Sequence, residues 1–129
     1  MTEHPHTFVP IRVEKPWGHE LLWASTDRYV GKILHLRKGE SLSLQYHEVK
    51  EETIRLLSGR LLFESRPLEE KGELRRQELT AGDTVHIRPR TIHRMTGLED
   101  CDILEVSTPE LDNVVRLEDR YGREGTSRP

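Results

Sequence analysis

The sequence predicts an all-β domain, an antiparallel sandwich or barrel of about ten short strands. Turn residues interrupt the chain at short intervals, and no helix of useful length fits between these breaks. Between them, polar and apolar residues alternate as they do in strands. One segment places Leu42, Leu44 and Tyr46 on one face. Gln45 and His47 lie on the opposite face. The breaks lie at residues 16–18, 38–40, 58–60, 70–72 and 81–83.

The predicted strands follow one another between these breaks. They are Glu20–Ala24, Arg28–Arg37, Ser41–His47, Thr53–Leu57, Arg60–Ser65, Glu73–Thr80, Thr84–Arg88, Ile92–Thr96, Asp102–Ser107 and Asn113–Glu118. With 129 residues, 33% of them hydrophobic, the chain can build one modest core but not two domains. We therefore predict an N-terminal arm over residues 1–11, a barrel domain over residues 12–122 and a frayed tail over residues 123–129.

Composition excludes several classes of partner. The net charge is −3, from 20 basic and 23 acidic residues, and this is not the balance of a protein that binds nucleic acid or an anionic membrane. The single cysteine, Cys101, cannot form an internal disulfide, and the first residues lack the apolar run of a signal peptide. No segment approaches the roughly 18 apolar residues of a membrane span. We therefore predict a soluble, cytoplasmic protein.

Four side chains on two separated segments predict a metal site. Gln45 and His47 are two residues apart on one predicted strand, so both side chains leave the same face. Glu52 follows shortly after them, and His93 lies on a later strand. Imidazole nitrogen and carboxylate oxygen bind divalent transition metals readily, and an amide oxygen is a weaker neutral donor. The alternative is a solvent-facing polar surface, with the intervening apolar residues packed inward.

The spacing of these four residues resembles the two motifs of the cupin superfamily. It is Gly39-x5-Gln45-x-His47-x4-Glu52-x6-Gly59, followed by Gly82-x10-His93. The usual cupin has a histidine where this chain has Gln45. The segment Ser43-Leu44-Gln45-Tyr46-His47 instead resembles the Ser-Leu-Gln-x-His of cupin-type mannose-6-phosphate isomerases. The resemblance implies a single-domain cupin, which is a double-stranded β-helix or jelly-roll barrel.

Two further segments extend this resemblance over roughly residues 12–124. Lys15-Pro16-Trp17-Gly18 resembles the Arg-Pro-Trp-Gly entry of the isomerase domain, and residues 113–123 resemble its closing motif. One segment departs from the pattern, because the family has Pro-x-Gly before the second-motif histidine and this chain has Arg88-Pro89-Arg90. We therefore expect either a reshaped loop or an Arg90 side chain that points at the ligand.

The resemblance and the ligand chemistry together imply a set of site residues. One divalent metal ion, zinc first and manganese, iron, cobalt or nickel as alternatives, is assigned to Gln45, His47, Glu52 and His93. The candidates for proton transfer are Lys32, His86 and Glu105. The candidates for holding an anionic substrate group are Arg90, Arg94, Arg116 and Arg123. The competing interpretations are a surface lysine, a surface or packed histidine and exposed ion pairs.

These residues favour a metal-dependent aldose–ketose isomerase that acts on a phosphorylated or otherwise anionic sugar. A bound metal would polarise the sugar oxygens, and a nearby base would carry the proton. Two alternatives stay open: a metal- or sugar-binding regulatory cupin without turnover, and a cupin of other chemistry, such as an Fe(II) oxygenase. The expected partners are a small sugar or sugar phosphate and a second copy of the chain, because family members often pair through edge strands.

Overall fold

The computed structural model describes residues 4–110 and 114–127 of the chain. Over these residues the chain forms strands and no helix. The strands are β1 Ile11–Lys15, β2 Gly18–Ser25, β3 Val30–Leu36, β4 Leu44–His47, β5 Glu52–Ser58, β6 Arg60–Pro67, β7 Arg75–Thr80, β8 Thr84–Ile87, β9 Thr91–Gly97, β10 Cys101–Ser107, β11 Val114–Glu118 and β12 Gly125–Ser127. Within the described part of the chain there is accordingly no helix long and apolar enough to cross a membrane.

The strands form two six-stranded antiparallel sheets. The first sheet has the order β1-β2-β3-β10-β5-β8, and the second has the order β12-β11-β4-β9-β6-β7. Strands that are adjacent in sequence, such as β3 and β4 or β5 and β6, often lie in different sheets, so the chain passes repeatedly between them. This topology is that of a jelly roll. It confirms the prediction of an all-β, single-domain barrel.

Alternation along the strands decides what the barrel interior contains. On β3, Leu34 and Leu36 are buried between the sheets, whereas Ile33 and His35 are only partly covered on the other face. On β3 and on β5, the side chains that point inward start with a charged residue and continue with apolar residues of the core. Lys32 precedes Leu34 on β3, and Glu52 precedes the buried leucine and isoleucine of β5. One end of the interior is therefore apolar and the other end is polar.

The apolar end is a compact core drawn from both sheets. Its buried members are Trp17, Leu34, Leu36, Ile54, Leu56, Leu61, Phe63, Leu79, Ile87, Met95, Cys101 and Ile103. A tight turn at Gly59 connects β5 to β6 at this end. Gly59 has φ of 87°, and a Cβ at this position would lie 2.2 Å from the carbonyl oxygen of Asp100. This turn therefore requires glycine.

The strand predictions differ from the structure mainly at the two ends of the chain. β1 pairs with β2 although no strand was predicted there, and β12 pairs with β11 within the tail that was predicted to be frayed. Residues 125–127 form a strand by pairing with the edge of β11 that does not pair with β4. β4 is shorter than predicted, since Ser41 makes only an isolated bridge to Thr96. Asn113, the predicted start of β11, lies outside the described residues.

Candidate functional site

The polar end of the barrel is a cavity between the two sheets. Its volume is about 70 Å³, smaller than the roughly 300–1,000 Å³ of typical ligand pockets. A whole sugar phosphate would therefore extend into the mouth of the cavity. The charged and polar side chains that line it are Lys15, Glu20, Lys32, Ser43, Gln45, His47, Lys50, Glu52, Glu105, Arg116 and Arg123.

The four predicted metal ligands come from three neighbouring places in the barrel. Gln45 and His47 lie on β4, and His93 lies on β9 directly opposite Gln45. Glu52 begins β5 in the other sheet and faces the same interior. His47, Glu52 and His93 are 4%, 5% and 2% exposed. The polar face of β4 is thus the interior face, as the metal-site interpretation requires.

One hydrogen bond fixes the orientation of the His93 ring. Its Nδ1 donates to the carbonyl oxygen of Thr91 over 2.9 Å, so Nε2 carries the lone pair. That Nε2 is buried and has no hydrogen-bond partner among the described residues. Burial lowers the pKa of His93 and favours the neutral imidazole, despite the opposing charge of Glu52. A neutral imidazole with an unsatisfied inward nitrogen is the form that binds a metal.

The other donors contact each other or a neighbour. His47 Nε2 lies 3.0 Å from Glu52 Oε1, and Gln45 Oε1 accepts a hydrogen bond of 2.6 Å from Ser43 Oγ. Among residues 4–110 and 114–127, no group of three or more His, Cys, Asp or Glu side chains has an arrangement that could hold a metal ion. The donor types and the unsatisfied His93 nitrogen fit a divalent metal. The direct contact between His47 and Glu52 would have to give way to it.

The two buried carboxyl groups of the cavity have opposite shifts in pKa. For Glu52, burial is the largest influence and raises the pKa, but the hydrogen bond to His47 and the nearby charges of His93, His47 and Lys50 outweigh it and lower the pKa to about 2. For Glu105, burial and the charge of Glu52 raise the pKa to about 8, against the nearby lysines Lys32 and Lys50. Glu52 is therefore ionised at neutral pH, and Glu105 is largely protonated.

Glu105 and Lys32 are direct cross-strand neighbours on β10 and β3, and both line the cavity. Lys32 Nζ lies 3.5 Å from Glu20 Oε1, and Lys15 Nζ lies 3.9 Å from the same oxygen. Neither Lys15 nor Glu20 is among the site residues that the sequence predicts. Glu20 shares its strand face with Gly18 and Leu22, a pattern that gives no sign of a site.

Lys50 and Ser43 are further cavity residues without an assigned role at the sequence level. Lys50 is 7% exposed, although it lies in the loop between β4 and β5 where no periodicity predicts burial. Ser43 is 2% exposed and holds Gln45 through the hydrogen bond described above. Ser43 shares a strand face with Gln45 and His47, and this alternation predicts that its side chain also lies in the cavity.

Two arginines, one on β11 and one between β11 and β12, complete the cavity wall. Arg116 lies on β11, and Arg123 follows that strand; both line the cavity. Asp119 accepts hydrogen bonds of 3.0 Å from Nε and from Nη2 of Arg123, and the Asp119 side chain is fully buried. Burial, reinforced by the charge of Arg123, lowers the pKa of Arg116. The two arginines therefore lie close together around one carboxylate.

Two predicted site residues point away from the cavity. His86 alternates with the inward Val85 and Ile87 on β8, and its exposed ring contacts Glu51. Arg94 follows the inward His93 and lies on the outer face of the second sheet, where it pairs with a glutamate, Glu64, over 3.0 Å. Strand parity excludes both from the cavity.

Arg90 also lies outside the cavity lining. Its side chain forms ion pairs of 2.7 Å with Glu48 and with Glu69 and is 44% exposed. Its φ is 60°, a conformation that favours glycine, and its backbone N–H donates to the carbonyl oxygen of His47 over 2.7 Å. The loop thus keeps a glycine-type conformation while the arginine side chain turns to solvent. Arg90 is not among the residues that line the cavity.

This chain belongs to the cupin family. The family model for a cupin domain matches residues 32–107, which carry most of β3, all of β4 to β10 and all four predicted metal ligands. Cupins commonly bind a divalent metal, so the family agrees with the donor chemistry of the site. Comparison with curated protein sequences gives no match.

Solved structures share the fold at low sequence identity. KdgF from Halomonas sp. is 20% identical with a TM-score of 0.64, over 78% of this chain and 88% of that one. The capsular polysaccharide assembling protein CapF from Staphylococcus aureus is 17% identical with a TM-score of 0.67, and 93% of this chain matches only 32% of CapF. A candidate sugar phosphate isomerase from Acidithiobacillus ferrooxidans is 16% identical with a TM-score of 0.57, over 69% of this chain and 56% of that one.

Proposed function

We propose that this cupin is a metal-dependent aldose–ketose isomerase that acts on a phosphorylated or otherwise anionic sugar. The observation that carries the proposal is the content of one cavity: the three metal-type donors Gln45, His47 and Glu52, a cross-strand carboxyl–lysine pair and two arginines. His93 lies directly opposite Gln45 on the neighbouring strand. Two proteins of similar fold are described as a candidate sugar phosphate isomerase and a polysaccharide-assembling protein, and these descriptions agree with a sugar ligand.

Each group has a defined task in such a reaction. A divalent metal held by Gln45, His47, Glu52 and His93 would supply Lewis-acid polarisation of the sugar oxygens. Isomerisation moves a proton between adjacent carbons. With a pKa of about 8, a fraction of Glu105 is ionised near neutral pH, and this carboxylate can accept the proton and return it. Lys32, directly opposite, stabilises the carboxylate that forms when Glu105 gives up its proton. Arg116 holds the anionic group through its planar donor fork.

A second candidate is a sugar-binding cupin without turnover. The direct contact of His47 Nε2 with Glu52 Oε1 favours it, because this contact gives both atoms a partner without a metal. The two candidates make different demands on His93. An isomerase needs its inward nitrogen as a ligand, whereas a binding protein needs only its packing against Phe63, at a ring centroid distance of 6.2 Å.

The deciding experiment measures metal content and isomerisation together. Purified protein should contain about one divalent metal ion per chain. With aldose and ketose phosphates in deuterated water it should exchange a proton for deuterium at C2, as seen by NMR. His93→Ala should lose most of the metal and the exchange, while His86→Ala, at an outward histidine, should keep both.

The outcomes separate the candidates. Unchanged metal content in His93→Ala would overturn the ligand assignment. Sugar binding without deuterium exchange in metal-loaded protein would overturn the isomerase and support the binding protein. Oxygen consumption in the presence of iron, without exchange, would instead support an oxygenase.

A further inference from the structure

We propose a second metal site, formed by two histidines on the outer face of the first sheet. His19 lies on β2 and His35 on β3, and the register of these strands places the two residues directly opposite each other. They alternate with the cavity residues Glu20 and Leu34, so their side chains leave the other face of the sheet. The sheet itself therefore separates this site from the cavity.

The two imidazole rings are close in space as well as in register. Their centroids are 5.0 Å apart and their planes are inclined by 20°, so the rings are stacked. Both residues are partly exposed, and a metal ion in solution can therefore reach them. Coordination of one ion requires a nitrogen of each ring to converge on it. This adjustment falls on the His19 ring, because a hydrogen bond to Asp102 holds His35.

Asp102 prepares His35 for a metal. His35 Nδ1 donates to Asp102 Oδ1 over 2.8 Å, which leaves Nε2 as the nitrogen for an ion. Asp102 lies opposite His35 on β10, and Ser58 Oγ donates to its other carboxylate oxygen over 3.3 Å. A carboxylate behind a ligating histidine fixes the tautomer and orientation of the ring and makes the free nitrogen a better ligand.

The fixed charges next to the imidazole pair balance one another. Glu14 on β1 lies opposite one imidazole, and Asp102 on β10 lies opposite the other. Arg12 Nε forms an ion pair with Glu14 Oε1 over 2.7 Å, and the positive charge of Arg37 also acts on Glu14. Two carboxylates and two guanidinium groups thus give no net negative field. The attraction for a cation comes from the imidazole nitrogens themselves.

The chemistry of the pair selects a transition metal. Burial, reinforced by the charges of Arg12 and His35, lowers the pKa of His19 and favours the neutral ring that binds metals. Imidazole suits copper, nickel and zinc, and copper(II) binds most tightly among them. The pair supplies two protein ligands, and water completes the coordination. Such a site is weaker than one with four protein donors, so dialysis against a chelator empties it first.

Copper titration of chelator-treated protein tests the site. Calorimetry gives the affinity for Cu(II), and the EPR spectrum shows the nitrogen ligands of the bound ion. The starting protein is His93→Ala, because it lacks a proposed ligand of the interior site. Adding His19→Ala or His35→Ala should weaken Cu(II) binding by at least about tenfold, since a ligand contributes more than an outer partner does. The matched control is His86→Ala, at an outward histidine of the same sheet that contacts a carboxylate, and it should leave the affinity unchanged.

A third variant tests the role of the carboxylate. Asp102→Asn keeps the size of the side chain and removes its charge, so it should weaken Cu(II) binding by about tenfold without changing the circular dichroism spectrum. Unchanged affinity in both His19→Ala and His35→Ala would overturn the site, and a loss in only one of them would overturn the pair. An equal loss in His86→Ala would also overturn it. The readout is Cu(II) affinity, so the result does not depend on the isomerase.

Discussion

Glu105 is the residue whose chemistry depends most on its surroundings. It is 7% exposed, and its neighbours on both sides are fixed by the register of β10 with β3 and β5. Burial penalises the ionised carboxylate, and the charge of Glu52 adds to that penalty. The pKa rises to about 8 in the folded protein, while an unfolded chain would show the usual value near 4.3. The folded state therefore binds a proton more tightly than the unfolded state.

This difference predicts a pH dependence of stability. Between about pH 5 and 8 the unfolded chain loses the Glu105 proton and the folded chain keeps it, so the free energy of unfolding falls as pH rises, by at most about 1.4 kcal/mol per pH unit. Urea unfolding of metal-free protein at several pH values measures this slope. Glu105→Gln should flatten it, whereas Glu73→Gln, at an exposed position before β7, should leave it unchanged. A slope that is the same in all three proteins would contradict the shifted pKa.

At the scale of single residues, strand parity predicted part of the site. It placed Gln45 and His47 on one face, and this face is the interior. The same parity excludes Arg94 from the interior, since the adjacent His93 faces inward. The sequence alone does not identify Lys15 and Glu20 as cavity residues, because their position in the cavity depends on which strands lie side by side.

At the scale of elements, the loop before β9 has an arginine, Arg90, in a backbone conformation that is typical of glycine. Arg90 stands where the motif that this segment resembles has glycine, and its φ of 60° is the conformation that glycine adopts freely. The backbone N–H still holds the carbonyl oxygen of His47, which fixes the end of β4. The ion pairs to Glu48 and Glu69 hold the side chain on the surface. They offset the cost of the positive φ.

A pair of variants separates backbone strain from these ion pairs. Arg90→Gly and Arg90→Ala both remove the ion pairs, but only glycine relieves the left-handed conformation. We therefore expect Arg90→Gly to have a higher melting temperature than Arg90→Ala, as measured by calorimetry. Gly39→Ala, at a second position of positive φ (82°), should lower the melting temperature for the same reason. A higher melting temperature for Arg90→Ala than for Arg90→Gly would show that the positive φ at position 90 does not destabilise the protein.

The sequence predicted the central strands better than the outer ones, and the reason is physical. The central strands alternate because one face packs in the core, as on β3 and β10. β1 has four exposed residues out of five, and β12 is only three residues long. Such edge strands form through backbone hydrogen bonds to a neighbouring strand. These bonds do not depend on the side-chain pattern, so the sequence does not reveal them.

At the scale of the whole molecule, β1 is an open edge with apolar residues beside it. It forms one border of the first sheet, and Ile11 and Val13 on this strand are 61% and 38% exposed. Phe8 and Val9, just before the strand, are 63% and 87% exposed. The edge strand β7, by contrast, carries exposed charged and polar residues that disfavour pairing with another chain. The β1 edge is therefore where we expect a second copy to associate.

This expectation predicts a homodimer that depends on β1. Analytical ultracentrifugation should give about twice the chain mass of 15.1 kDa at micromolar concentration. Ile11→Lys should shift the protein towards the monomer, because it places a charge in an apolar contact that must be desolvated. Gln77→Lys, on the polar edge β7, is the matched control and should leave the dimer intact. A monomer in the unmodified protein would exclude the β1 dimer, and a dimer that survives Ile11→Lys would place the interface elsewhere.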